Sequence, residues 1–179
     1  MSIGLKKDTI SLENFSSGWD QYFQFERDRI LEAIRDKILS IEHIGSTSIR
    51  NSVAKPVIDI CIGINDYSVG FECVEKFESL GYKYLGECGV EDRHFFRTDS
   101  DYVKVHIHMF DVKSDQYINH ILFRDYLNHH PEDLKKYNEL KEQLRQEKIS
   151  RKEYTKRKEP LINEILVKAK KWRTYADSI

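Results

Sequence analysis

The spacing of apolar residues along these 179 residues predicts an α/β (α+β) fold: a mixed β-sheet flanked by helices, with a helical C-terminal part. Three observations carry that expectation. Val57 to Ile64 is an almost unbroken apolar run, as a strand covered on both faces requires. Tyr102 to Phe110 alternates apolar and polar residues with the two-residue period of a strand. Apolar residues recur at helical spacing before the first of these strands and again from Ser114 onward. Strands framed by helices, with one helical crossover among them, form a sheet with helices packed on it. At this length one domain is expected, residues 1–179, divided into a sheet-containing core (1–113) and a helical part (114–179).

The elements follow in order. Residues 1–14 read as an extended lead-in. Ser16 or Ser17 caps a first helix that carries Trp19, Phe23, Ile30, Ile34 and Ile38. A short strand, Ile41–Ile44, runs into the Gly45-Ser46 turn. Ser46 to Ser52 reads as a brief helical turn, stopped by the run into Pro56. In the strand Val57–Ile64, Ile58, Ile60, Ile62 and Ile64 share one face, and Val57, Asp59, Cys61 and Gly63 the other. Asp66 or Ser68 caps a helix with Phe71, Val74, Phe77 and Leu80 on one stripe, closed by Gly81. Tyr82–Glu87, Arg93–Thr98 and Tyr102–Phe110 are the next strands. In the last, Val103, Val105, Ile107 and Met109 face one way and Lys104, His106, His108 and Phe110 the other. Ser114 caps a helix ending near His130, and Pro131 opens the next, with Leu134, Tyr137, Leu140 and Leu144. A highly charged stretch, Arg145 to Glu159, mixes both signs and reads as a solvated helical face. It leads into a last helix with Leu161, Ile165, Leu166, Ala169 and Trp172.

Charged residues make up 33% of the chain and nearly cancel, leaving a formal net charge of -1, which argues against wholesale nucleic-acid binding. Apolar content of 40% excludes disorder by composition. The start, MSIGLKKDTISLENF, has no apolar run of a signal peptide, and no segment approaches the roughly 18 apolar residues of a membrane span. Cys61, Cys73 and Cys88 are odd in number and lack CxxC spacing. A reducing cytoplasmic location without a membrane partner is expected, with monomer and homodimer both open.

Three constellations carry chemistry. The first is Gly45-Ser46-Thr47-Ser48 followed by Asp59. Glycine lets backbone N–H groups approach a phosphate, hydroxyls add donors, and a carboxylate on the neighbouring strand can hold a divalent metal. The plain alternative is a tight turn with local caps and an Asp59 paired with Lys55 or an arginine. The second is His106 and His108, two imidazoles on one strand face, suited to a metal or an anion, or else hydrogen-bonded fillers. The third is basic: Lys55, Arg93, Arg97 and Lys104 can clamp a phosphate or carboxylate, although Arg93 reads equally well as a solvated edge charge. Glu87 can serve as a metal ligand or an arginine partner.

Together IEHIGSTS, AKPVIDI, GYKYLGE, FFR, HIHMF, FRDYLNHHPE, Y-x-x-L-K and the Tyr154-to-Lys158 segment resemble the GrpB family of small bacterial proteins, along most of the chain. That family looks like a branch of the nucleotidyltransferase superfamily. Its compact mixed sheet carries a Gly-Ser motif at a helix start, an acidic pair on the following strand and a further acid on a later one. The resemblance implies that Gly45 and Ser46 are the Gly-Ser motif and Asp59 the first acid. Cys61 then stands where the second acid would fall, and His106 and His108 lie on the strand of the third. Mg²⁺ prefers carboxylate oxygens, whereas an Asp-His-His set suits Zn²⁺, Mn²⁺ or Fe²⁺ better, or an anion without metal.

The resulting expectation is a nucleotidyltransferase-like protein that binds a nucleotide or phosphorylated small molecule. Gly45, Ser46, Thr47 and Ser48 would contact phosphate, with Lys55, Arg93 and Arg97 adding charge. Asp59, His106 and His108 would form the catalytic centre and hold a divalent metal (Mg, Mn or Zn), with Glu87 as a reserve ligand. A non-catalytic accessory domain and a metal-dependent phosphoester hydrolase are the alternatives.

Overall fold

The computed structural model describes residues 2–6 and 9–176. Two short strands, β1 (Leu5–Lys6) and β2 (Glu13–Asn14), precede helix α1 (Ser17–Ile34). Ser16 caps α1, its Oγ accepting from the Gly18 amide at 3.3 Å. Then come β3 (Ser40–Ile44), β4 (Val53–Ala54), β5 (Ile58–Ile64) and two short helices, α2 (Tyr67–Glu72) and α3 (Val74–Ser79). Strands β6 (Tyr82–Tyr84), β7 (His94–Thr98), β8 (Tyr102–Val103) and β9 (Val105–Asp111) follow. The chain closes with α4 (Asp115–His129), α5 (Pro131–Gln146) and α6 (Arg151–Ala176).

The main sheet has the order β3-β5-β9-β7-β6. Its central pair, β5 and β9, is parallel, and the other pairings are antiparallel. The register sets Asp59 opposite His106 and Cys61 opposite His108. The side-chain parity of both strands then decides the two faces. Ile58, Ile60, Ile62, Ile64, Ile107 and Met109 pack against Trp19, Phe23, Ile30 and Ile34 of α1 and Phe77 of α3. On the other face Cys61 and Phe110 pack against Tyr117 and Ile121 of α4. A second core joins α4, α5 and α6 through Leu122, Leu127, Leu134, Tyr137 and Ile165, with Ile49 reaching in from the loop after β3.

Two features hold α4 over the sheet. Gly63 leaves no room for a side chain: a Cβ there would lie 2.3 Å from Val112 and 2.4 Å from the Ser40 hydroxyl, which itself hydrogen-bonds Tyr117 at 2.7 Å. Arg124 donates to Glu42 at 2.7 Å and to the His43 carbonyl at 3.0 Å, tying α4 to the end of β3.

Several elements differ from expectation. The crossover helix is interrupted at Cys73, and Phe71, assigned to its apolar stripe, is 54% exposed, edge-on to Tyr67 and His94. Strand β6 stops at Tyr84, ahead of a turn in which Cys88 and Asp92 take left-handed conformations (φ 48° and 57°). The Tyr102–Phe110 strand divides at Lys104, because β8 pairs with β1 while the Val105 amide turns to the Thr98 hydroxyl. The charged stretch is mostly helix as read, but the last helix takes in much of it: α6 begins at Arg151 and runs through Pro160. Glu, Lys and Arg are good helix formers, and they outweigh the single backbone bond that proline removes.

Candidate functional site

The site lies at the amino ends of β5 and β9, under the helical layer. Asp59 comes from β5, His106 and His108 from β9, and the Gly45-Ser46 turn arrives from the antiparallel β3. Gly45 has φ +69°, and a Cβ on it would lie 2.5 Å from Asp59 Oδ2. Only glycine lets the backbone cross this close above the carboxylate. Ser46–Ser48 forms a single 3-10 turn whose Ser48 hydroxyl folds back onto the Gly45 carbonyl at 2.7 Å. Thr47 is buried, its Oγ1 3.0 Å from His43 Nε2, and His43 stacks on Phe23 and meets Asp20 at 3.2 Å.

Asp59 Oδ1 accepts from His106 Nδ1 at 3.0 Å and lies 3.6 Å from His108 Nε2. Burial alone would raise its pKa, but the two imidazoles outweigh that and hold the carboxyl well below the usual range. Burial pushes the His108 pKa down. The outer nitrogens of the pair both face guanidinium groups: His106 Nε2 is 3.4 Å from Arg151, and His108 Nδ1 is 3.3 Å from Arg93. A guanidinium only donates, so each outer nitrogen accepts and each inner nitrogen carries the proton that points to Asp59.

A cavity of about 340 Å³ opens over this centre, with the cations Lys55, Lys141, Arg151 and Lys158 in its wall. The ammonium groups of Lys55 and Lys158 sit 4.4 and 4.7 Å from the centroid of the Tyr154 ring. Burial, then Lys158 and Arg151, push the Lys55 pKa down to about 7. Lys141 is 1% exposed; its Nζ donates to Ser52 Oγ at 2.8 Å, to the Val53 carbonyl and to Ser46 Oγ at 3.4 Å, fastening α5 to the Gly-Ser turn. Burial holds its pKa far below the ordinary lysine value. His120 stands 5.2 Å from His108, ring centroid to ring centroid, and is pushed down to about 3 by burial and by His108, so it is neutral.

Of the residues expected from sequence, the fold brings Gly45, Ser46, Thr47, Lys55, Asp59, His106 and His108 around one cavity. Ser48 is occupied within its own turn. Arg93 is not a solvated edge charge. It is buried behind His108, donates to the carbonyls of Glu87 and Cys88 at 3.1 and 2.9 Å, and lies over Phe95. Arg97 pairs in register with His106 but is not among the residues that line the cavity. Glu87 is exposed and its carboxylate accepts the Asp92 amide at 2.8 Å, outside the histidine pair's reach. Cys61 is fully buried and burial raises its thiol pKa, so it is an inert packing residue. Sequence reasoning missed Lys141, Arg151, Lys158 and His120. The signal for two of them was there: Arg151, Tyr154, Thr155 and Lys158 recur at the three- and four-residue spacing of one helix face, in a stretch read as solvated.

Asp59, His106 and His108 each offer a ligand atom, all within 4.8 Å of one another. Two nitrogens and one oxygen fit a single Zn²⁺, Mn²⁺ or Fe²⁺. They do not fit a two-ion arrangement of paired carboxylates, since Asp59 is the single carboxylate among the described residues that line the cavity. An ion bound there would need the outer imidazole nitrogens to donate, so Arg93 and Arg151 would give up their present contacts. No helix among the described residues is long and apolar enough to cross a membrane.

Residues 9–168 match the family model described as GrpB protein. The UPF0157 protein YqkA of Bacillus subtilis is 33% identical over 168 residues, which are 93% of this chain and 49% of that protein. This chain therefore spans about half the length of that relative. The glutamate-rich protein GrpB of Alkalihalophilus pseudofirmus is 33% identical over 175 residues, 92% of this chain and 98% of that one. The crystal structure of conserved protein GrpB from Enterococcus faecalis, 31% identical, overlays with a TM-score of 0.84 across 90% of this chain and 99% of that one. The chain belongs to the GrpB family.

Proposed function

We propose that this chain binds a nucleotide or other phosphorylated small molecule, with its phosphates between the Gly45-Ser46 turn and the cationic wall, beside one divalent ion at Asp59, His106 and His108. The imbalance of charge in the cavity carries this reading. Lys55, Lys141, Arg151 and Lys158 line it, and Asp59 is the single carboxylate among the described lining residues. Burial first, and then repulsion from Lys158 and Arg151, disfavour the charged form of Lys55. A multiply charged anion relieves that repulsion. The Gly-Ser turn beside an acid-bearing strand, a pattern of nucleotidyltransferase-like proteins, supports phosphate as the anion.

A bound ion would polarise a phosphoryl oxygen as a Lewis acid. Around it, Arg151 and Lys158 neutralise the phosphate oxygens, and the glycine backbone admits them closely. His106 and His108 keep Asp59 ionised. The single carboxylate of the cavity, with Cys61 rather than a second acid two residues on from Asp59, favours a second reading, in which the same ligand is bound without turnover.

Thermal denaturation with Mn²⁺ and nucleoside triphosphates tests the proposal. Stabilisation by metal plus triphosphate, lost in Asp59→Asn and in the Arg151→Ala/Lys158→Ala double variant, is the expected result. A melting temperature indifferent to every triphosphate, with and without metal, refutes it. Release of pyrophosphate or phosphate by the same samples then separates chemistry from binding alone.

A further inference from the structure

A second cavity, of about 440 Å³, continues from the first between α4 and α6, sharing Gly45, Ser46, Asp59, His120 and Lys158 with it. Its character differs. Beyond the shared residues it has no charged group; Phe123, Ile162 and Leu166 give apolar surface, and Gln116, Asn119 and Asn163 give amides. The Asn119 Oδ1 atom is buried and has no hydrogen-bond partner among the described residues. Buried polar atoms are rarely left unpaired, so this oxygen calls for an N–H or O–H donor from outside the chain. Turning the amide over leaves a buried donor in its place, which calls for an acceptor.

We infer that this cleft receives the organic group of the phosphorylated ligand, and that the group is a flat, uncharged heterocycle with a hydrogen-bonding edge, as a nucleobase presents. The inference rests on the phosphate-binding reading above and narrows it from phosphorylated molecules in general to nucleotides. A sugar ring carries hydroxyls around its whole rim, so those not met by the amides or by Tyr137 would lie against Phe123, Ile162 and Leu166, and an alkyl chain would leave Asn119 unpaired. A heterocycle sets its apolar faces on the first group and its donor and acceptor edge on the amides.

Calorimetric titration in the presence of Mn²⁺ tests this, comparing the four common nucleoside triphosphates with inorganic tripolyphosphate. Tripolyphosphate carries the larger charge, so electrostatics alone favour it. The expected result is at least one nucleotide that binds about tenfold tighter or more than tripolyphosphate. That advantage should vanish in Asn119→Leu and in Leu166→Trp, which fills the cleft, each judged against tripolyphosphate in the same variant. Tripolyphosphate binding as tightly as every nucleotide overturns the heterocycle subsite and leaves the phosphate reading standing. A nucleotide advantage kept in both variants also overturns it, by placing the base elsewhere. Failure of all five probes to bind refutes both proposals.

Discussion

Asp59 keeps its charge inside a strand because two imidazole N–H groups point at one of its oxygens while Gly45 crosses above the other. Gly45→Ala forces a Cβ to within 2.5 Å of that carboxylate and strains a left-handed backbone. It should cost on the order of 1–3 kcal/mol in urea unfolding and abolish ligand stabilisation. Arg151 donates to the outer nitrogen of His106 and so holds it as an acceptor, whereas a metal-bound imidazole needs that nitrogen to donate. Arg151→Ala should therefore tighten Mn²⁺ binding while weakening that of tripolyphosphate; equal loss of both contradicts the arrangement. Strand parity made legible the face that Asp59 takes on its strand and the one that His106 and His108 share on theirs; the pairing of β5 with β9 that brings them together was not. Nor were their guanidinium partners, because Arg93 and Arg151 arrive from a turn and a helix whose placement only tertiary packing decides.

His43 gives a residue-level pH dependence. Burial pushes its pKa down to about 4, while in the unfolded chain it titrates near the ordinary 6.5. Between those values the unfolded state binds a proton that the folded state refuses. The neutral buried ring is therefore fully accommodated above about pH 6.5, and stability declines as pH falls from there toward 4, by up to about 3 kcal/mol from this group. Urea midpoints at pH 7 and pH 4.5 should show the decline, and His43→Gln should flatten part of it. His120, shifted in the same direction, supplies a share that remains.

At the scale of elements, α6 changes most between sequence and structure. Its first turns look like a solvated charge run, yet they supply Arg151, Tyr154 and Lys158 to the cavity, on a helix seated by Ile165 and Ala169. Charge composition reports only that such a helix is soluble, whereas the side it presents depends on which residues its apolar stripe anchors. Burial, and then the Lys158 and Arg151 charges of this helix, bring the Lys55 pKa to about 7. A bound phosphate reverses that shift, so binding at pH 7.5 should take up protons and weaken as pH rises past 7. Calorimetry in two buffers of different ionisation enthalpy reads the uptake directly. Lys55→Arg, which keeps the charge without titrating, should bind with the uptake lost.

Over the whole molecule, apolar clusters cover both faces of one sheet, a further core joins the three C-terminal helices, and the site forms at the amino ends of the central parallel strands beneath those helices. The sheet, its apolar face and most helix starts followed from period and caps: Ser16, Asp66 and Ser114 all cap as their positions suggest. The strand order and the seating of α4 through Gly63 and Arg124 depend on contacts distant in sequence, which no local pattern encodes. Ile165→Ala, opening a cavity in the helical core, should cost about 2–5 kcal/mol and reduce triphosphate binding by loosening α6, with little change at the α1 face.

The most direct test of a single centre at Asp59, His106 and His108 is calorimetric titration of Mn²⁺ or Zn²⁺ into metal-stripped protein. One ion per chain should bind, and Asp59→Asn and His106→Ala should each abolish it while the far-ultraviolet circular dichroism stays unchanged. No uptake of either ion, or uptake unaltered in both variants, would contradict the assignment.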